Sequence, residues 1–451
     1  MKIWIRTSTV AVLVALILGA CAPATTPTAS PAGSTTAPTV QPTQAPATQT
    51  SAEKKVITLW HVQTGDGPKV IQNEVDRYMA DHPDVEVKVE AQQTDNYTVK
   101  LNVALGADNP PCVFSTWGGG PLYQYVKAGK IQDLTEWMNQ DNYKDRFLDA
   151  GIASITFDGK IWAVPVEHSA IAVIFYNKKI FADNGLSIPS TYDELLQIIT
   201  KLKSVGIAPF ALGGKSVWPE LFFTTYFVDR LGGPEAFRAA ATRTGGSFTD
   251  PPFIQAGQMI QDLVKMGAFV EGFNGLDYGT GQSRMLMYSG KAAMEMMGTW
   301  NISTIKGENP DFYATNLGFF PFPAIVGEKG DPNDVAGSIG QDLYSVAAAC
   351  KYPKEAFELI QYMIDDKAVA ERAAIGRIVP VKSFTTDDPM LKEVLRLLKQ
   401  APNVQLWWDQ YLPPDLGQAS LDTTQALFSL TQTPGVAFGN METTAIRVFG
   451  K

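Results

Sequence analysis

The residues from 56 to 116 alternate between strand-like and helix-like segments, and this order constrains the fold most. VITLW at 56–60 has the composition of a buried strand, VEVKVE at 85–90 alternates with a period of two, and CVFST at 112–116 is a third apolar run. The intervening segments repeat apolar residues at helical spacing, at Val70, Ile71, Val75, Tyr78 and Met79 before Pro83, and at Tyr97, Leu101 and Leu105. This order predicts an α/β fold with a mainly parallel sheet flanked by helices.

Ligands of such sheets bind beyond the carboxyl ends of the strands. The loops at 61–68, 91–97 and 116–121 are therefore candidate binding loops. Their candidate contact residues are Thr64, Asp66, Asn96, Tyr97, Trp117 and Gly118. Structural alternatives exist, since the Thr-Gly-Asp-Gly stretch also suits a simple turn and Tyr97 also suits the start of a helix.

Helical patterns continue through the second half of the chain. Thr191 and Glu194 form a capping-box pattern at the start of a helix over 192–206. Pro353 lies in the first turn of a long predicted helix, and Pro389 lies in the first turn of a second predicted helix. About 400 residues follow position 53, and a chain of that length favours two lobes over one core.

The first 53 residues are predicted to deliver and tether the rest. Residues 1–20 carry Lys2 and Arg6 before a short apolar run, which is typical of a signal peptide and too short to span a bilayer of roughly 30 Å. Leu18-Gly19-Ala20-Cys21 resembles a bacterial lipobox, so Cys21 is the expected lipidation site. Residues 21–53 are rich in Pro, Thr and Ala and predict a disordered tether that reaches about 95 Å when extended. The alternative is an ordinary signal peptide with a cysteine near its cleavage site.

Composition argues against several functional classes. The net charge of −9 is the wrong sign for a nucleic-acid partner. Three histidines and three cysteines without a CxxC motif predict neither a metal site nor a cofactor. Cys112 and Cys350 are compatible with one disulfide or with two buried thiols, and the sequence leaves both open.

The segment DGKIWAVPVEHSAIAVIFYNKKIFADNGLSIPSTYDELLQIITKLK at 158–203 resembles the extracellular solute-binding proteins of bacterial ABC sugar importers. Further matches occur in order at VFSTWGGGPLYQYVKAGKIQDL, GKAAMEMMGTWNIS, FPFPAI and YPKEAFELIQYMI, so the resemblance covers roughly residues 54 to 451. One departure is Cys112, where the family usually has an Asp after the Pro pair.

The resemblance implies a periplasmic-binding-protein-like fold of two α/β lobes joined by a hinge. We expect one lobe at 54–165 plus 319–375 and the other at 166–318 plus 376–451. The lobes would close on a sugar, expected to be a short oligosaccharide, and deliver it to the transmembrane permease. The protein would be an extracytoplasmic monomer, held at the cell membrane by the lipid on Cys21.

The resemblance also implies which residues contact the solute. Tryptophan faces cover the apolar faces of sugar rings, and acids, amides and hydroxyls bind their edges. The expected stacking residues are Trp117, Trp218, Trp300 and one of Trp407 and Trp408, although large aromatics also serve as core residues. The further polar candidates are Glu167, His168, Gln341, Asp342 and Asp409. For Glu167 and His168 the alternative is a hinge or ion-pair role, and for Asp409 it is a turn cap.

Two other functions remain as alternatives. A secreted glycoside-active enzyme would need two acids about 5–9.5 Å apart across the scissile bond. The sequence has no GxSxG or HExxH motif, so we expect a binding protein and not an enzyme. A receptor for polyamines, iron or glycerol phosphate would need acid-rich, Tyr/His-rich or basic loops, whereas these loops are rich in tryptophan.

Overall fold

The computed structural model describes residues 54–107, 109–167, 169–340 and 342–450, and its elements alternate as the sequence pattern predicts. The elements before residue 169 are β1 Lys55–His61, α1 Gly67–Asp81, β2 Val85–Ala91, α2 Thr94–Gly106, β3 Val113–Thr116, α3 Gly120–Lys127, α4 Thr135–Asn139, the 3₁₀ helix Gln140–Arg146, α5 Asp149–Ala153, β4 Thr156–Phe157, β5 Lys160–Ile161 and β6 Val164–Pro165.

The middle of the chain contains β7 Ser169–Asn177, α6 Lys178–Asp183, α7 Tyr192–Ser204, β8 Ala208–Ala211, the 3₁₀ helix Gly214–Ser216, α8 Trp218–Gly232, α9 Pro234–Thr242, α10 Pro251–Lys265, the 3₁₀ helix Phe273–Gly275, α11 Gln282–Tyr288, β9 Ala292–Gly298, α12 Asn301–Glu308, α13 Pro310–Thr315, β10 Leu317–Phe320 and β11 Val335–Ile339. The last elements are β12 Leu343–Val346, α14 Pro353–Tyr362, α15 Asp366–Ala374, α16 Pro389–Gln400, β13 Val404–Leu406, α17 Trp408–Tyr411, α18 Pro414–Phe428 and α19 Pro434–Phe449.

The first large sheet has the strand order β2-β1-β3-β12-β6. β1 pairs parallel with β2 and β3, whereas β12 runs antiparallel to β3 and β6. Because β1, β2 and β3 run in the same direction, the three loops after them lie at one edge of the sheet. The predicted strands and the helices between them are confirmed, and so is the capping box of α7, in which Thr191 and Glu194 bond reciprocally.

The second large sheet has the order β13-β11-β7-β9-β8, with β10 also paired to β7. β7 is antiparallel to β9, β10 and β11, and the parallel pairs are β8 with β9 and β11 with β13. The α/β class is confirmed, but both sheets are mixed. β12 runs antiparallel to β3 in the first sheet, and β9, β10 and β11 run antiparallel to β7 in the second.

Each sheet has its own hydrophobic core, and the two cores define the lobes. The first lobe packs α1–α5, α14 and α15 around the first sheet, and the second lobe packs α6–α13 and α16–α19 around the second. The first core includes Phe114, Tyr344 and Phe357, and the second includes Phe175, Phe223 and Met294. Each sheet is therefore covered by its own helices, and the apolar residues form two separate cores rather than one continuous core.

Two expectations about chain organisation are wrong. The segment 319–339 was assigned to the first lobe, but β10 and β11 hydrogen-bond to β7 in the second sheet. The long helix from Pro353 is two helices, because Asp365 leaves helical geometry and caps α15 through a hydrogen bond from the Ala368 N–H. One residue whose side chain accepts a hydrogen bond from a free backbone N–H can begin a new helix, and it can therefore divide a segment whose apolar periodicity is continuous.

The open question about the cysteines is resolved in favour of a disulfide. Cys112 and Cys350 are bonded, with their Cα atoms 4.8 Å apart. The bond lies at the ends of the antiparallel pair β3 and β12, where the Ala347 N–H also donates to the Cys112 carbonyl. It therefore crosslinks two strands of the first lobe that are 238 positions apart in sequence.

Candidate ligand-binding cleft

The two lobes contact each other at two places that flank a cleft. On one side, the loop after β1 lies against α12, where the Thr64 and Thr304 hydroxyls are 3.2 Å apart. On the other side, the start of α3 lies against the segment after α17, and a Cβ on Gly120 would overlap the Leu412 carbonyl. Such a close backbone approach requires glycine. The residues between these contacts face each other across the cleft.

The second lobe contributes a cluster of aromatic side chains, Trp218, Phe222, Tyr278, Trp300 and Trp407, which we call the aromatic cluster. Trp300 follows β9 and is half-buried, and its indole N–H donates to the Tyr278 hydroxyl at 2.8 Å. The Trp300 ring centroid lies 5.9 Å from that of Trp218 and 6.0 Å from that of Trp407. These three predicted tryptophans, distant in sequence, are therefore brought together.

The first lobe contributes a polar group made of Gln63, Trp117 and Asp342. The Gln63 side-chain amide donates to Asp342 Oδ2 at 3.0 Å. Burial, reinforced by the nearby Glu167 carboxylate, raises the pKa of Asp342 to about 6, while hydrogen bonds from Gln63 and Trp117 oppose that rise. Asp342 has a φ of 56°, which a short polar side chain tolerates better than a branched one. The group holds an acceptor in position beside the cleft.

Glu167 belongs to a buried ion-pair network and not to the ligand contacts that the sequence suggested. It accepts from Arg372 Nε at 3.2 Å and is also paired with Arg377. Arg372 is paired in turn with Glu74, and all four side chains are at most 2% exposed. Charged groups this deeply buried need such partners, so the structure gives Glu167 the ion-pair role that the sequence left as an alternative.

Arg377 connects this network to both lobes. Its guanidinium bonds the Gln63 side chain and donates to the Thr64 carbonyl at 2.9 Å, both in the loop after β1. Its Nε also donates to Ser303 Oγ of α12 at 3.3 Å. A Cβ on Gly67 would overlap this guanidinium, so a larger residue where α1 begins would displace the Arg377 side chain. Arg377 thus joins the polar group, the hinge and the second lobe.

Several predicted contact residues have structural roles instead. Tyr97 is fully buried and donates its hydroxyl proton to the Ser115 carbonyl at 2.5 Å. Trp408 is 1% exposed and stacks on Phe237 in the second core, whereas Trp407 lines a cavity together with Gly118 of the first lobe. The sequence left the alternatives open for Tyr97 and for the Trp407–Trp408 pair, because periodicity does not distinguish a buried aromatic from one at the edge of a cleft.

Three further candidates lie at the surface or at the start of a helix. Asp66 pairs with Lys69 at 2.8 Å at the start of α1, and Asn96 is exposed on α2. Burial raises the pKa of Asp409 to about 6, and the backbone N–H groups of Asp409 and Gln410 counter the shift, which places Asp409 in the first turn of α17 and not at its cap. Trp218 is the first residue of α8 and not a loop residue. His168, Gln341 and Cys21 lie outside the described residues.

The cleft retains two cavities, one on each side of the Trp300–Trp407 pair. A small cavity is lined by Trp300, Arg377 and Ser169, and another is lined by Trp407, Gly118 and Ser338. The Ser169 and Ser338 hydroxyls are buried and have no hydrogen-bond partner among the described residues. Buried polar groups are normally satisfied, so such hydroxyls mark places where a polar ligand can bind.

Sequence reasoning missed some of the residues that surround the cleft. Gln63 lies within the loop 61–68 already selected, so position after a strand was an available signal, and Gln410 and Tyr411 directly follow the candidate Asp409. Ser154 and Ser338 gave none, because single serines outside a motif are common at any surface. Arg377 became identifiable only once its contacts with Gln63 and Ser303 were known.

The described residues include no group of three or more His, Cys, Asp or Glu side chains arranged to hold a metal ion. None of the helices within the described ranges has the length and apolar character that a bilayer crossing requires. The chemistry of the cleft is therefore that of stacking aromatics, an acid, amides and hydroxyls.

Comparison with known proteins identifies the family. The family described as "Bacterial extracellular solute-binding protein" matches residues 63–370, and the chain belongs to it. Among curated relatives, the maltotriose-binding protein of Pyrococcus abyssi is 26% identical over 347 residues, which is 74% of this chain and 68% of the relative.

Two solved structures have the same fold along almost their whole length. One, from work on xylan utilization by the thermophilic bacterium Caldanaerobius polysaccharolyticus, is 29% identical with a TM-score of 0.80, covering 86% of this chain and 99% of the other. The other, named a chitin oligosaccharide binding protein, is 25% identical with a TM-score of 0.79, covering 89% of this chain and all of the other. The two-lobed fold is therefore confirmed, and the family is that of extracellular receptors of transporters.

Proposed function

We propose that this protein is the receptor of an ABC importer that binds a carbohydrate, expected to be a short oligosaccharide, between its two lobes. The observation that carries the proposal is that Trp300 packs against Trp407 on one lobe, while on the other lobe Gln63 bonds both Asp342 and Arg377, and Arg377 lines a cavity together with Trp300. Aromatic faces match the apolar faces of a pyranose ring, and an acid beside an amide matches its hydroxyl edge.

The relatives support the same class of ligand. One is named for maltotriose, one structural neighbour for chitin oligosaccharides, and another comes from work on xylan utilization. These ligands differ in linkage and substituents but share a chain of pyranose rings. We assign stacking to Trp300 and Trp407 and hydrogen bonding to Asp342, with Trp117, Gly118 and Trp218 at the margins of the cleft and the Thr64 hydroxyl in the contact with Thr304.

A hydrolytic role fits the cleft less well. Glycoside hydrolysis requires two carboxyl groups about 5–9.5 Å apart that are available to the substrate. Glu167 is occupied by two arginines and Asp66 by Lys69, while Asp409 receives backbone N–H groups at the start of α17. Asp342 is the candidate acid that bonds Gln63, and Glu220, between Trp218 and Phe222 of the aromatic cluster, is fully buried. We therefore propose a binding protein without catalytic activity.

In the proposed cycle, the arrangement of the two lobes depends on whether a sugar is bound. Sugar binding favours the arrangement in which the lobes are in contact, and the resulting surface is recognised by the permease in the membrane.

Lipid on Cys21 would keep a monomeric receptor near that permease. A Cys21→Ser variant is expected to leave the membrane fraction for the medium, and continued fractionation with membranes until detergent is added would contradict the lipid anchor.

The test of the proposed function uses residues 54–451. Thermal unfolding is followed with xylotriose, chitotriose, maltotriose and their monosaccharides, with spermidine and glycerol 3-phosphate as controls. A ligand at 100 times its Kd adds about 2.7 kcal/mol to the free energy of unfolding, a shift of a few degrees at this size. A shift with one sugar series and an unchanged sugar afterwards supports the receptor. Cleavage of that sugar, or a shift only with a charged control, would contradict it.

A further inference from the structure

The Trp300 indole is held against the end of β9 on the second lobe. Trp300 follows Gly298, the last residue of that strand, by two positions, and a Cβ on Gly298 would overlap the indole ring. Glycine at this position therefore lets the ring lie directly against the strand. The contact fixes how close the ring lies to β9, and a hydrogen bond from the indole N–H fixes the direction in which the ring points.

That hydrogen bond is the first of a chain that runs from Trp300 into the second lobe. The Trp300 indole N–H donates to the Tyr278 hydroxyl at 2.8 Å, and that hydroxyl donates to Asn301 Oδ1 at 3.3 Å. The Asn301 side-chain amide donates to Glu295 Oε2 at 3.2 Å, and the Ser283 hydroxyl donates to Glu295 Oε1 at 2.6 Å. Every bond from Trp300 to Glu295 runs in the same donor-to-acceptor direction, and bonds aligned in this way strengthen one another.

The chain ends at an acid that the protein encloses completely. Glu295, Asn301 and Ser283 are fully buried and Tyr278 is 6% exposed, so these side chains take their partners from the protein. Burial raises the pKa of Glu295 to about 7, and the bonds from Ser283 and Asn301, together with the charge of Arg284, oppose that rise. A carboxylate accepts and does not donate, so it orients the Asn301 amide with the nitrogen towards Glu295 and the oxygen towards Tyr278.

Tyr278 is itself held by contacts that do not involve Trp300. Its backbone N–H donates to Ser216 Oγ at 3.2 Å, and its carbonyl accepts from Arg284 Nη1 at 2.8 Å. Its ring packs in a T-shaped arrangement against the Trp218 ring, with the centroids 4.7 Å apart. The Tyr278 hydroxyl therefore has a fixed position, and rotation of the Trp300 indole away from it would break their hydrogen bond.

From these observations we propose that Tyr278, Asn301 and Glu295 are positioning residues for the sugar site, which hold the Trp300 indole in its stacking orientation before a ligand arrives. The inference rests on the proposed function and deepens it. A ring that already has its bound orientation loses less conformational freedom on binding. When the chain is broken, part of the population has the ring turned away, and the apparent Kd rises in proportion.

The first experiment is a double-mutant cycle in sugar affinity, measured by calorimetry with whichever of xylotriose, chitotriose and maltotriose binds most tightly. Tyr278→Phe keeps the ring and removes the hydroxyl, whereas Trp300→Phe keeps an aromatic ring and removes the indole N–H. Tyr278→Phe should weaken binding by about 2- to 13-fold, the effect of one net hydrogen bond. In the Trp300→Phe background the same change should have no further effect, because no indole N–H remains to be held.

The second experiment observes the hydrogen bond by NMR spectroscopy and needs no sugar. The protein carries isotope-labelled tryptophan, and the Trp300 indole N–H signal is the one that disappears in Trp300→Phe. Tyr278→Phe should move that signal upfield in the proton dimension, because the N–H loses its acceptor. The matched control is Tyr125 of the first lobe, which is 7% exposed and donates its hydroxyl proton to Asn102 Oδ1 at 2.9 Å. Tyr125→Phe should leave both the signal and the affinity at their wild-type values.

The far end of the chain is tested by two changes at Glu295. Glutamine keeps an oxygen that accepts from Asn301, whereas leucine, which is similar in size, has none. Glu295→Leu should therefore weaken sugar binding more than Glu295→Gln does, and it should move the Trp300 signal further. Equal affinities of the two variants would overturn the role of Glu295.

Three results would overturn the inference as a whole. They are a Trp300 signal that keeps its wild-type position in Tyr278→Phe, wild-type affinity in that variant, and equal weakening by Tyr278→Phe with and without the indole N–H. In each case wild type still binds a sugar, so the proposed function survives. If wild type binds none of these sugars, the proposed function fails, and the inference fails with it even when the signal moves.

Discussion

The hydrogen bond between Thr64 and Thr304 gives the most specific prediction about lobe contact. Each hydroxyl belongs to a different lobe, and their oxygens are 3.2 Å apart. When the lobes separate, both hydroxyls can bond to water instead. A protein hydrogen bond contributes about 0.5–1.5 kcal/mol net, so this pair should favour the contacting arrangement by that amount. If the ligand-bound protein has this arrangement, the pair changes affinity by about 2- to 13-fold.

A double-mutant cycle isolates this contribution. Thr64→Val, Thr304→Val and the double variant are compared with wild type by calorimetry, using whichever of xylotriose, chitotriose and maltotriose binds most tightly. Valine keeps the side-chain shape and removes the hydroxyl. Either single change should weaken binding, and the double variant should be little worse than the worse single variant, because each change removes the same hydrogen bond.

The chain offers a matched control in the pair Thr224 and Thr424. Their hydroxyl oxygens are 3.1 Å apart, and both residues are buried within the second lobe. The corresponding valine cycle should show coupling in the free energy of unfolding and none in sugar affinity. Additive effects of Thr64→Val and Thr304→Val on affinity, with the fold intact, would refute the claim that this interlobe contact exists in the ligand-bound protein.

Three further predictions concern the cleft, the disulfide and a buried acid. Trp300→Ala should abolish sugar binding and retain a cooperative unfolding transition, whereas calorimetry that finds the wild-type Kd would remove Trp300 from the site. Cys350→Ser breaks the Cys112–Cys350 bond and should lower the free energy of unfolding by about 2–5 kcal/mol. The measurement is a urea titration of the variant beside wild type, with and without reductant. Equal stabilities of the variant and wild type without reductant would contradict the bond. Burial raises the pKa of Glu220 to about 9, so the folded protein keeps a proton that the unfolded chain releases above about pH 4.5, and stability should fall as pH rises between these values. Glu220→Gln should remove that part of the pH dependence, and an unaltered profile would show that Glu220 is ionised in the folded protein.

The sequence predicted the local elements well wherever one physical rule dominated. β1, β2 and α2 follow from periodicity, and α7 follows from the Thr191 and Glu194 capping box. The family resemblance supplied the two lobes, which local patterns alone do not specify. It misplaced 319–339, because the pairing of β10 and β11 with β7 depends on contacts between residues well over a hundred positions apart.

A position after a strand could be predicted from the sequence for some candidate site residues, whereas the depth of a side chain could not. Trp300 and Trp117 directly follow β9 and β3, so their positions could be inferred. Tyr97 and Trp408 lie in similar stretches but point into cores, a difference of side-chain direction that composition does not encode. Glu167 could not be separated from a ligand contact until its pairing with Arg372 and Arg377 was visible, since those partners lie more than 200 positions later.

The central claim is that a sugar lies between the aromatic cluster and the polar group. The most direct test is a crystal structure of residues 54–451 grown with whichever of xylotriose, chitotriose and maltotriose gives the largest thermal shift. The account predicts sugar density against the faces of Trp300 and Trp407, with hydroxyl groups within hydrogen-bond distance of Asp342. Sugar bound on an outer face of either lobe, with the cleft between Trp407 and Asp342 empty, would contradict the account.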